Sequence, residues 1–250
     1  TLKTLSGKPY MANQSRSTSS ARRRLVVAID IGGTFTDIVI NDQGSGKTLV
    51  GKYLTPPHDP SIGALAGLRS LLEESNFRFK EIGQAIHATT LATNAIIERK
   101  GATTGLLTTK GFQDILLIGR ESRYDIYDLA PEFPEPLVPG PMRRELTERI
   151  SVTGEVLQPL SPQEVKVTIQ ELIDKGVNSI AVCLLHSYIN SEHEDSVAES
   201  IIESFPGVNF SLSSQVCPEI REYERTSTTV ANAYIQPIVS RYLDDLEANL

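Results

Sequence analysis

The sequence has few cysteines, no long apolar run and no excess of basic residues. Its two cysteines, Cys183 and Cys217, are too few and too far apart for a disulfide framework or a zinc knuckle. No apolar stretch reaches the roughly 18 residues that a membrane-spanning helix needs. The net charge of −7 leaves no basic surface for nucleic acid. These features predict a soluble protein of a reducing compartment, most simply the cytoplasm, that binds neither nucleic acid nor membrane.

The first residues differ in composition from the rest of the chain. Residues 1–22 are polar and serine-rich without hydrophobic periodicity, which predicts a disordered N-terminal tail. They lack the apolar segment of a secretory signal, whereas an organellar transit peptide stays open. Met11 lies inside this tail and is a candidate for the natural start of the protein.

Hydrophobic periodicity after the tail predicts an alternation of strands and helices. The predicted strands are residues 25–29, 35–40, 49–54, 82–87, 104–108, 179–185 and 208–214. The predicted helices are residues 61–74, 91–99, 161–175, 192–205 and 226–250. Between them, the proline-rich segment 111–150 predicts a long surface excursion, of a kind that often carries function, followed by a hairpin at 149–157.

This order of elements predicts an α/β fold. Three consecutive strands and then helix–strand units fit a ribonuclease-H-like layout, with antiparallel hairpins first and parallel units afterwards. The layout is the first half of the actin, hexokinase and Hsp70 (ASKHA) type of phosphotransfer fold. Because the last predicted helix reaches residue 250 without a stop signal, we expect the fold to be truncated before its second half.

Residues 25–40 carry the clearest chemical signal. A short apolar strand ends near Asp30, and the glycines that follow permit a tight turn whose N–H groups can approach an anion. A carboxylate beside such a turn suits hydrated Mg²⁺ and nucleotide phosphate. An ordinary hairpin with an acidic turn is the alternative. We predict that Asp30 holds Mg²⁺ or another divalent metal and that Asp37 coordinates the metal through water or orders the hairpin. The predicted phosphate-binding residues of the turn are Gly32, Gly33, Thr34 and Thr36.

A second glycine-containing stretch resembles the end of a P-loop. Residues 44–48 read Gly-Ser-Gly-Lys-Thr, but Asn41 occupies the position of the first P-loop glycine. A predicted strand follows where a P-loop needs a helix. We therefore interpret this stretch as a hairpin loop between the second and third strands.

Several separate blocks resemble the hydantoinase/oxoprolinase family, in particular the amino-terminal part of hydantoinase A and of ATP-dependent 5-oxoprolinase. The blocks are residues 30–37, 87–95, 111–114, 118–120, 127–129, 184–188 and 221–228. Ala88 departs from the pattern, because the family usually has glycine after this histidine. The resemblance covers roughly residues 24–250 and implies an N-terminal family domain at 23–205. It also implies the start of the hydantoinase A core domain, truncated, at 206–250.

The resemblance implies an enzyme of the 5-oxoprolinase or N-methylhydantoinase type, which hydrolyses a cyclic amide at the expense of ATP. Phosphorylating the carbonyl oxygen would turn it into a leaving group. The implied cofactors are ATP and Mg²⁺, and the implied partner is a hydantoinase B-type subunit or fused B region, in an oligomer. We expect this chain alone to be inactive, because one domain supplies half of the phosphate site. Alternatives are a subunit of an ATP-dependent acetone or acetophenone carboxylase, or a non-catalytic interaction fragment.

Further candidate residues follow the predicted strands and loops. The catalytic candidates are Asp30 and His87, and His87 ends a predicted strand at an edge where α/β proteins bind ligands. The residues predicted to line the phosphate or substrate cleft there are Thr89, Thr90 and Asn94, although helix capping would also explain Thr90. The candidate contacts to a substrate carboxylate are Arg120, Arg123 and Tyr124, with solvated loop charges as the alternative. His186 and His193 are interpreted as structural histidines.

Overall fold

A computed structural model describes residues 24–56, 60–120, 127, 129 and 133–249. The chain forms two compact units, which are described separately. The first comprises residues up to 56 and residues 62–88, and the second comprises residues 57–61 and 89–250. The predicted tail at 1–22 and the candidates Arg123 and Tyr124 lie outside the described residues.

The first unit contains a four-stranded sheet. Its strands are β1 (Leu25–Ile31), β2 (Phe35–Asp42), β3 (Thr48–Leu54) and β4 (Ile82–Thr89), in the order β3-β2-β1-β4. β2 is antiparallel to both β1 and β3. These strands lie where the apolar runs predict them, and the loop between β2 and β3 is the stretch that resembles a P-loop.

One face of this sheet forms the core of the first unit. Alternate residues of β1 are buried and the others are not, as expected of a strand that packs on one face. Helix α1 (Pro60–Glu74) buries Ala64, Leu68, Leu71 and Leu72, a spacing that forms one apolar stripe. The helix lies so close to the sheet that a Cβ atom on Gly67 would be 2.6 Å from the Tyr53 ring.

The second unit contains a fully parallel four-stranded sheet. Its strands are β5 (Thr104–Thr109), β6 (Arg143–Leu146), β9 (Ser179–Cys183) and β10 (Asn209–Leu212), in the order β10-β9-β5-β6. β7 (Arg149–Ile150) and β8 (Val156–Gln158) form the predicted hairpin. The helices are α2 (Leu91–Ile97), α3 (Ile115–Ile118), α4 (Pro162–Ile173), α5 (Glu192–Ser204), α6 (Ser213–Val216) and α7 (Glu222–Asn249).

Helices cover both faces of the parallel sheet. On one face, α4 and α5 pack with Leu107, Ile180 and Val182 in the larger apolar cluster. On the other face, Val230 and Ala233 of α7 pack with Leu106, Ala181 and Cys183. None of the helices in the described part of the chain combines the length and the apolar composition needed to cross a membrane.

Several details of the second unit differ from the sequence prediction. The short helix α3 lies in the segment predicted to be irregular. β6 lies inside the segment predicted to be irregular, because three of its four residues are charged and give no apolar signal. The predicted strand at 208–214 divides into β10 and α6, and α7 begins four residues earlier than predicted. The other predicted helices and strands are present, with ends that differ by a few residues.

Candidate functional site

Asp30 and Asp37 are directly opposite each other on the β1–β2 hairpin. Because side chains alternate along a strand, both project from the face opposite to that of the buried Ile29 and Ile31. Asp30 is exposed and Asp37 is half-buried. The hairpin therefore presents two carboxylates on one face, beside the turn that joins the strands.

The turn itself leaves two backbone donors available. The N–H of Gly32 donates to the carbonyl of Phe35 at 2.9 Å, and a Cβ atom on Gly32 would lie 3.0 Å from that oxygen. Gly32 thus closes the turn. Gly33 and Thr34 are exposed, and no hydrogen bond among the described residues uses their N–H groups. Two adjacent exposed amides of this kind can bind an anion such as phosphate.

Asp37 and Thr36 make contacts within the hairpin. Both carboxylate oxygens of Asp37 accept hydrogen bonds from Lys52 Nζ, at 2.9 and 3.0 Å. Thr36 is fully buried, and its hydroxyl lies 2.9 Å from that of Thr55. Among the described residues, no cation forms an ion pair with Asp30. Asp30 is therefore the carboxylate of this pair that is available to a metal, while Asp37 and Thr36 stabilise the hairpin.

His87 of β4 belongs to the same unit. Burial lowers the pKa of its imidazole, while a hydrogen bond with the backbone of Ile29 and the charge of Asp30 act in the opposite direction. The ring is half-buried and borders the end of β1. The structure therefore brings the two catalytic candidates together, with His87 favoured in its neutral form.

The residues around the start of α2 bond mainly to one another. The Thr89 hydroxyl accepts a hydrogen bond from the N–H of Leu91 at 3.1 Å. Thr90 is the N-cap residue of α2, but its hydroxyl accepts from the Asn94 side chain at 3.1 Å instead of capping the helix. Thr89 and Thr90 are exposed and Asn94 is half-buried. These contacts order the beginning of the helix.

Arg120, the described member of the candidate substrate-binding group, forms an ion pair with α7. Its Nε lies 2.5 Å from Glu224 Oε1, and the Arg120 side chain is 65% exposed. The contact joins two of the blocks that resemble the family, residues 118–120 and 221–228. The irregular segment thus touches the last helix at this point.

A buried polar network, which the sequence did not indicate, lies at the carboxyl end of the parallel sheet. Glu148, just after β6, accepts hydrogen bonds from the Thr109 hydroxyl at the end of β5 and lies 2.6 Å from His193 Nδ1 of α5. All three side chains are almost completely buried. His193 thus has a hydrogen-bond partner in the interior, as the interpretation of a structural histidine expects, and His186 has a different partner, the carbonyl of Ile150 at 2.8 Å.

A second part of the network follows β9 and β10. Buried Glu194 accepts from the Ser213 hydroxyl at 2.6 Å and from the N–H of Leu184 at 2.9 Å. Ser213 also lies 2.9 Å from the hydroxyl of Ser187, which accepts from Arg225 Nη1 at 2.9 Å. Ser187 lies in the block 184–188 and Arg225 in the block 221–228, both of which resemble the family. That resemblance was the only indication in the sequence that these two residues matter.

The metal candidates do not form a complete metal site on their own. Among the described residues, no three His, Cys, Asp or Glu side chains form a group that could hold a metal ion. Mg²⁺ in nucleotide sites is commonly held by one or two carboxylates, with phosphate and water oxygens as the other ligands. The exposed Asp30 carboxylate and the two amides of Gly33 and Thr34 fit such a shared site.

Curated relatives cover most of this chain. The caprolactamase subunit alpha of Pseudomonas jessenii is 32% identical over 91% of the chain. The acetophenone carboxylase gamma subunit of Aromatoleum aromaticum is 34% identical over 84%, and 5-oxoprolinase 1 of Arabidopsis thaliana is 34% identical over 88%. The matched parts are 34%, 31% and 19% of these relatives, so the chain spans about a third of their length or less.

Solved structures confirm the predicted fold class. The ATP-dependent caprolactamase from Pseudomonas jessenii matches with a TM-score of 0.80 and 33% identity, over 89% of this chain and 33% of its own. A nucleotide-free acetone carboxylase matches with a TM-score of 0.78 and 27% identity, over 90% and 35%. The model of the hydantoinase/oxoprolinase N-terminal region matches residues 26–205, well over half of the sequence. The chain therefore belongs to the hydantoinase/oxoprolinase family.

Proposed function

We propose that this chain is part of an ATP-dependent enzyme that opens cyclic amides such as 5-oxoproline or a hydantoin. The observation that carries the proposal is the β1–β2 hairpin, where exposed Asp30 lies beside a turn with two available amides. Family membership supports it, because relatives include a 5-oxoprolinase and a caprolactamase. The chain spans about a third of the length of these relatives or less. The activity is therefore proposed for the complete protein and not for this chain alone.

The proposed chemistry follows from the low reactivity of amides. Bound ATP would supply the phosphoryl group that turns the amide oxygen into a leaving group, after which water can attack the ring carbon. Such a reaction depends mainly on positioning and on charge neutralisation. The amides of Gly33 and Thr34 would hold phosphate and Asp30 would hold Mg²⁺. His87, favoured in the neutral form by burial, would accept a proton beside Asp30.

The wider organisation is part of the same proposal. We place the boundary between the N-terminal family domain and the core domain near residue 205, where the family model ends. A hydantoinase B-type subunit or fused B region would complete the enzyme in an oligomer, since the caprolactamase and acetophenone carboxylase relatives are themselves named subunits. The two free cysteines support a cytoplasmic location.

The test is an assay of the complete protein with its B partner. We expect ADP and a ring-opened carboxylic acid to form in equal amounts when ATP is supplied with 5-oxoproline, hydantoin or caprolactam, each tested separately. The acid is an amino acid from 5-oxoproline or caprolactam and an N-carbamoyl amino acid from hydantoin. A reaction without ATP serves as the control. Formation of neither ADP nor ring-opened product with any of the three substrates would contradict the proposal.

A ketone carboxylase is the second candidate, favoured by the acetophenone carboxylase relative and the acetone carboxylase structure. The same complete protein would then consume acetone or acetophenone only when ATP and bicarbonate are both present. Transfer of labelled carbon from bicarbonate into a carboxylate product would select this candidate over ring opening.

A further inference from the structure

A small cavity lies in the second unit, away from the buried polar network. Residues of α3, of the segment 134–137 and of α7 line a half-open cavity of about 200 Å³. Pockets for drug-sized ligands commonly have volumes of about 300–1,000 Å³, so this cavity suits a smaller molecule.

The cavity has an apolar floor that belongs to the core. Val230 is 2% exposed and packs with Leu106 and Ala181 of the parallel sheet. Leu116 and Leu137, which also line the cavity, pack against the same cluster. A binding surface built on a packed sheet and helix is held in place more precisely than one formed by loops alone.

Two hydroxyl groups of the cavity lie on one wall. Tyr223 and Ser227 are four residues apart on α7, so they lie on the same face of the helix. Both side chains are half-buried, and neither hydroxyl has a hydrogen-bond partner within the described part of the chain. The exposed carboxylate residue Glu135 lines the cavity as well. Two donors and an acceptor are therefore available around an apolar floor.

An ion pair lies next to the cavity. A Cβ atom on Gly119 would lie 3.7 Å from the Tyr223 ring, and the next residue, Arg120, is paired with Glu224. A hydrogen bond from its own backbone amide, with a contribution from Arg120, lowers the pKa of the Glu224 carboxyl and keeps it ionised. The Arg120 guanidinium is already neutralised by Glu224, and the Glu135 carboxylate forms no ion pair among the described residues. The cavity therefore favours an uncharged cyclic amide, such as caprolactam or a hydantoin, over 5-oxoproline, whose carboxylate Glu135 would repel.

We infer that this cavity binds the ring of an uncharged cyclic amide. The methylene groups of the ring would contact Leu116, Leu137 and Val230, and the Tyr223 and Ser227 hydroxyls would donate to the amide oxygen. Glu135 would accept from the amide N–H. A cyclic amide presents its N–H and C=O on one edge, which matches donors and an acceptor around a small apolar floor. The inference rests on the proposed function and specifies where the substrate binds.

Substitutions in the complete enzyme test this assignment. Tyr223→Phe and Ser227→Ala each remove one hydroxyl and should raise the KM for the cyclic amide by roughly three- to tenfold, as expected for the loss of one hydrogen bond. Ser227→Phe fills the cavity and should abolish measurable saturation by the amide. The KM for ATP should stay unchanged in all three. Thr228→Val, on the exposed neighbouring position of α7, is the matched control.

Direct binding separates failure of this inference from failure of the proposed function. Titration of 2-pyrrolidone or caprolactam without ATP, followed by ligand-detected NMR, should show binding to the wild type and to Thr228→Val but not to Ser227→Phe. An unchanged melting temperature of Ser227→Phe would show that this variant is folded. An unchanged KM or an unchanged titration with folded Ser227→Phe would overturn the inference while leaving ATP-dependent ring opening intact. Binding that is lost in Ser227→Phe would support the site even if ring opening were never observed.

Discussion

His193 Nδ1 lies 2.6 Å from Glu148 Oε2, and both side chains are almost completely buried. The other carboxylate oxygen of Glu148 accepts a hydrogen bond from the Thr109 hydroxyl. That hydroxyl in turn accepts from the N–H of Leu185 at 2.9 Å. One carboxylate thus connects the ends of β5 and β9 with α5, in a region where water is excluded.

Replacing Glu148 by Ala should strongly destabilise the second unit. The substitution leaves the Thr109 hydroxyl and the His193 ring without their shared acceptor in the interior, and breaking a buried polar pair costs about 3–5 kcal/mol. Urea unfolding followed by circular dichroism measures the loss. Glu203→Ala, at an exposed position of α5, is the control and should change the free energy of unfolding by less than about 0.5 kcal/mol. Equal stability of the two variants would show that the network contributes little.

Apolar patterns were sufficient to predict most of the elements. β1 and β9 are short apolar runs, and α4 begins with a serine N-cap followed by proline, so local sequence determines where they start and end. β6 escaped prediction because tertiary contacts determine it. Arg143 is buried there with its Nε donating to the carbonyl of Val138 at 2.9 Å, which no local pattern reveals.

The candidate site was predictable only where local sequence determines it. The sequence of the hairpin places Asp30 beside the glycine turn, and the structure has it there. The pairing of Asp37 with Lys52 depends on strand register across 15 positions, and Glu148 and His193 are 45 residues apart. Such pairs depend on how the chain folds back on itself, which a single sequence read locally does not specify.

Thr36→Val should reduce stability without weakening nucleotide binding. The substitution removes the buried hydroxyl 2.9 Å from that of Thr55 and leaves the latter unsatisfied, at a cost of about 1–3 kcal/mol. The double variant Thr36→Val/Thr55→Val removes both groups and should lose less than the sum of the single losses. Thermal unfolding and ATP titration measure the two effects. A large loss of ATP affinity with unchanged stability would instead support direct phosphate binding by Thr36.

His87 should titrate below the ordinary histidine range. Burial lowers its pKa and the charge of Asp30 opposes that shift, so Asp30→Asn should lower the pKa further. Imidazole chemical shifts measured by NMR against pH report both values. A pKa of His87 above about 6.5, or a rise in Asp30→Asn, would contradict the arrangement.

The lowered pKa of His87 also determines how the free energy of unfolding depends on pH. Because the folded state favours neutral His87, its contribution is complete above the ordinary pKa of about 6.5 and is lost as the pH falls through the lower folded-state value. Urea unfolding at several pH values should therefore show a smaller loss of stability between pH 7 and 5 in His87→Gln than in the wild type. Equal losses in the two proteins would assign the pH dependence to other groups.

Asp30→Asn in the complete enzyme should lower ATP-dependent turnover by at least about a hundredfold. The amide keeps the shape of the side chain but removes the charge proposed to face the metal, and metal-charge stabilisation contributes several kcal/mol to such reactions. Folding should be preserved, because Asp30 is exposed and forms no ion pair among the described residues. Steady-state ADP release, measured alongside the melting temperature, separates the two effects.

Asp37→Asn is the matched comparison on the same hairpin. Its carboxylate already binds Lys52, at 2.9 and 3.0 Å, so its loss should disturb the hairpin slightly and reduce turnover much less than Asp30→Asn does. Raising the Mg²⁺ concentration should not change the activity of Asp37→Asn, because Asp37 acts through Lys52 and the hairpin and not on the metal. The assignment of Asp30 would be refuted by near-normal turnover in a folded Asp30→Asn enzyme, and reversed if Asp37→Asn were the more damaging of the two.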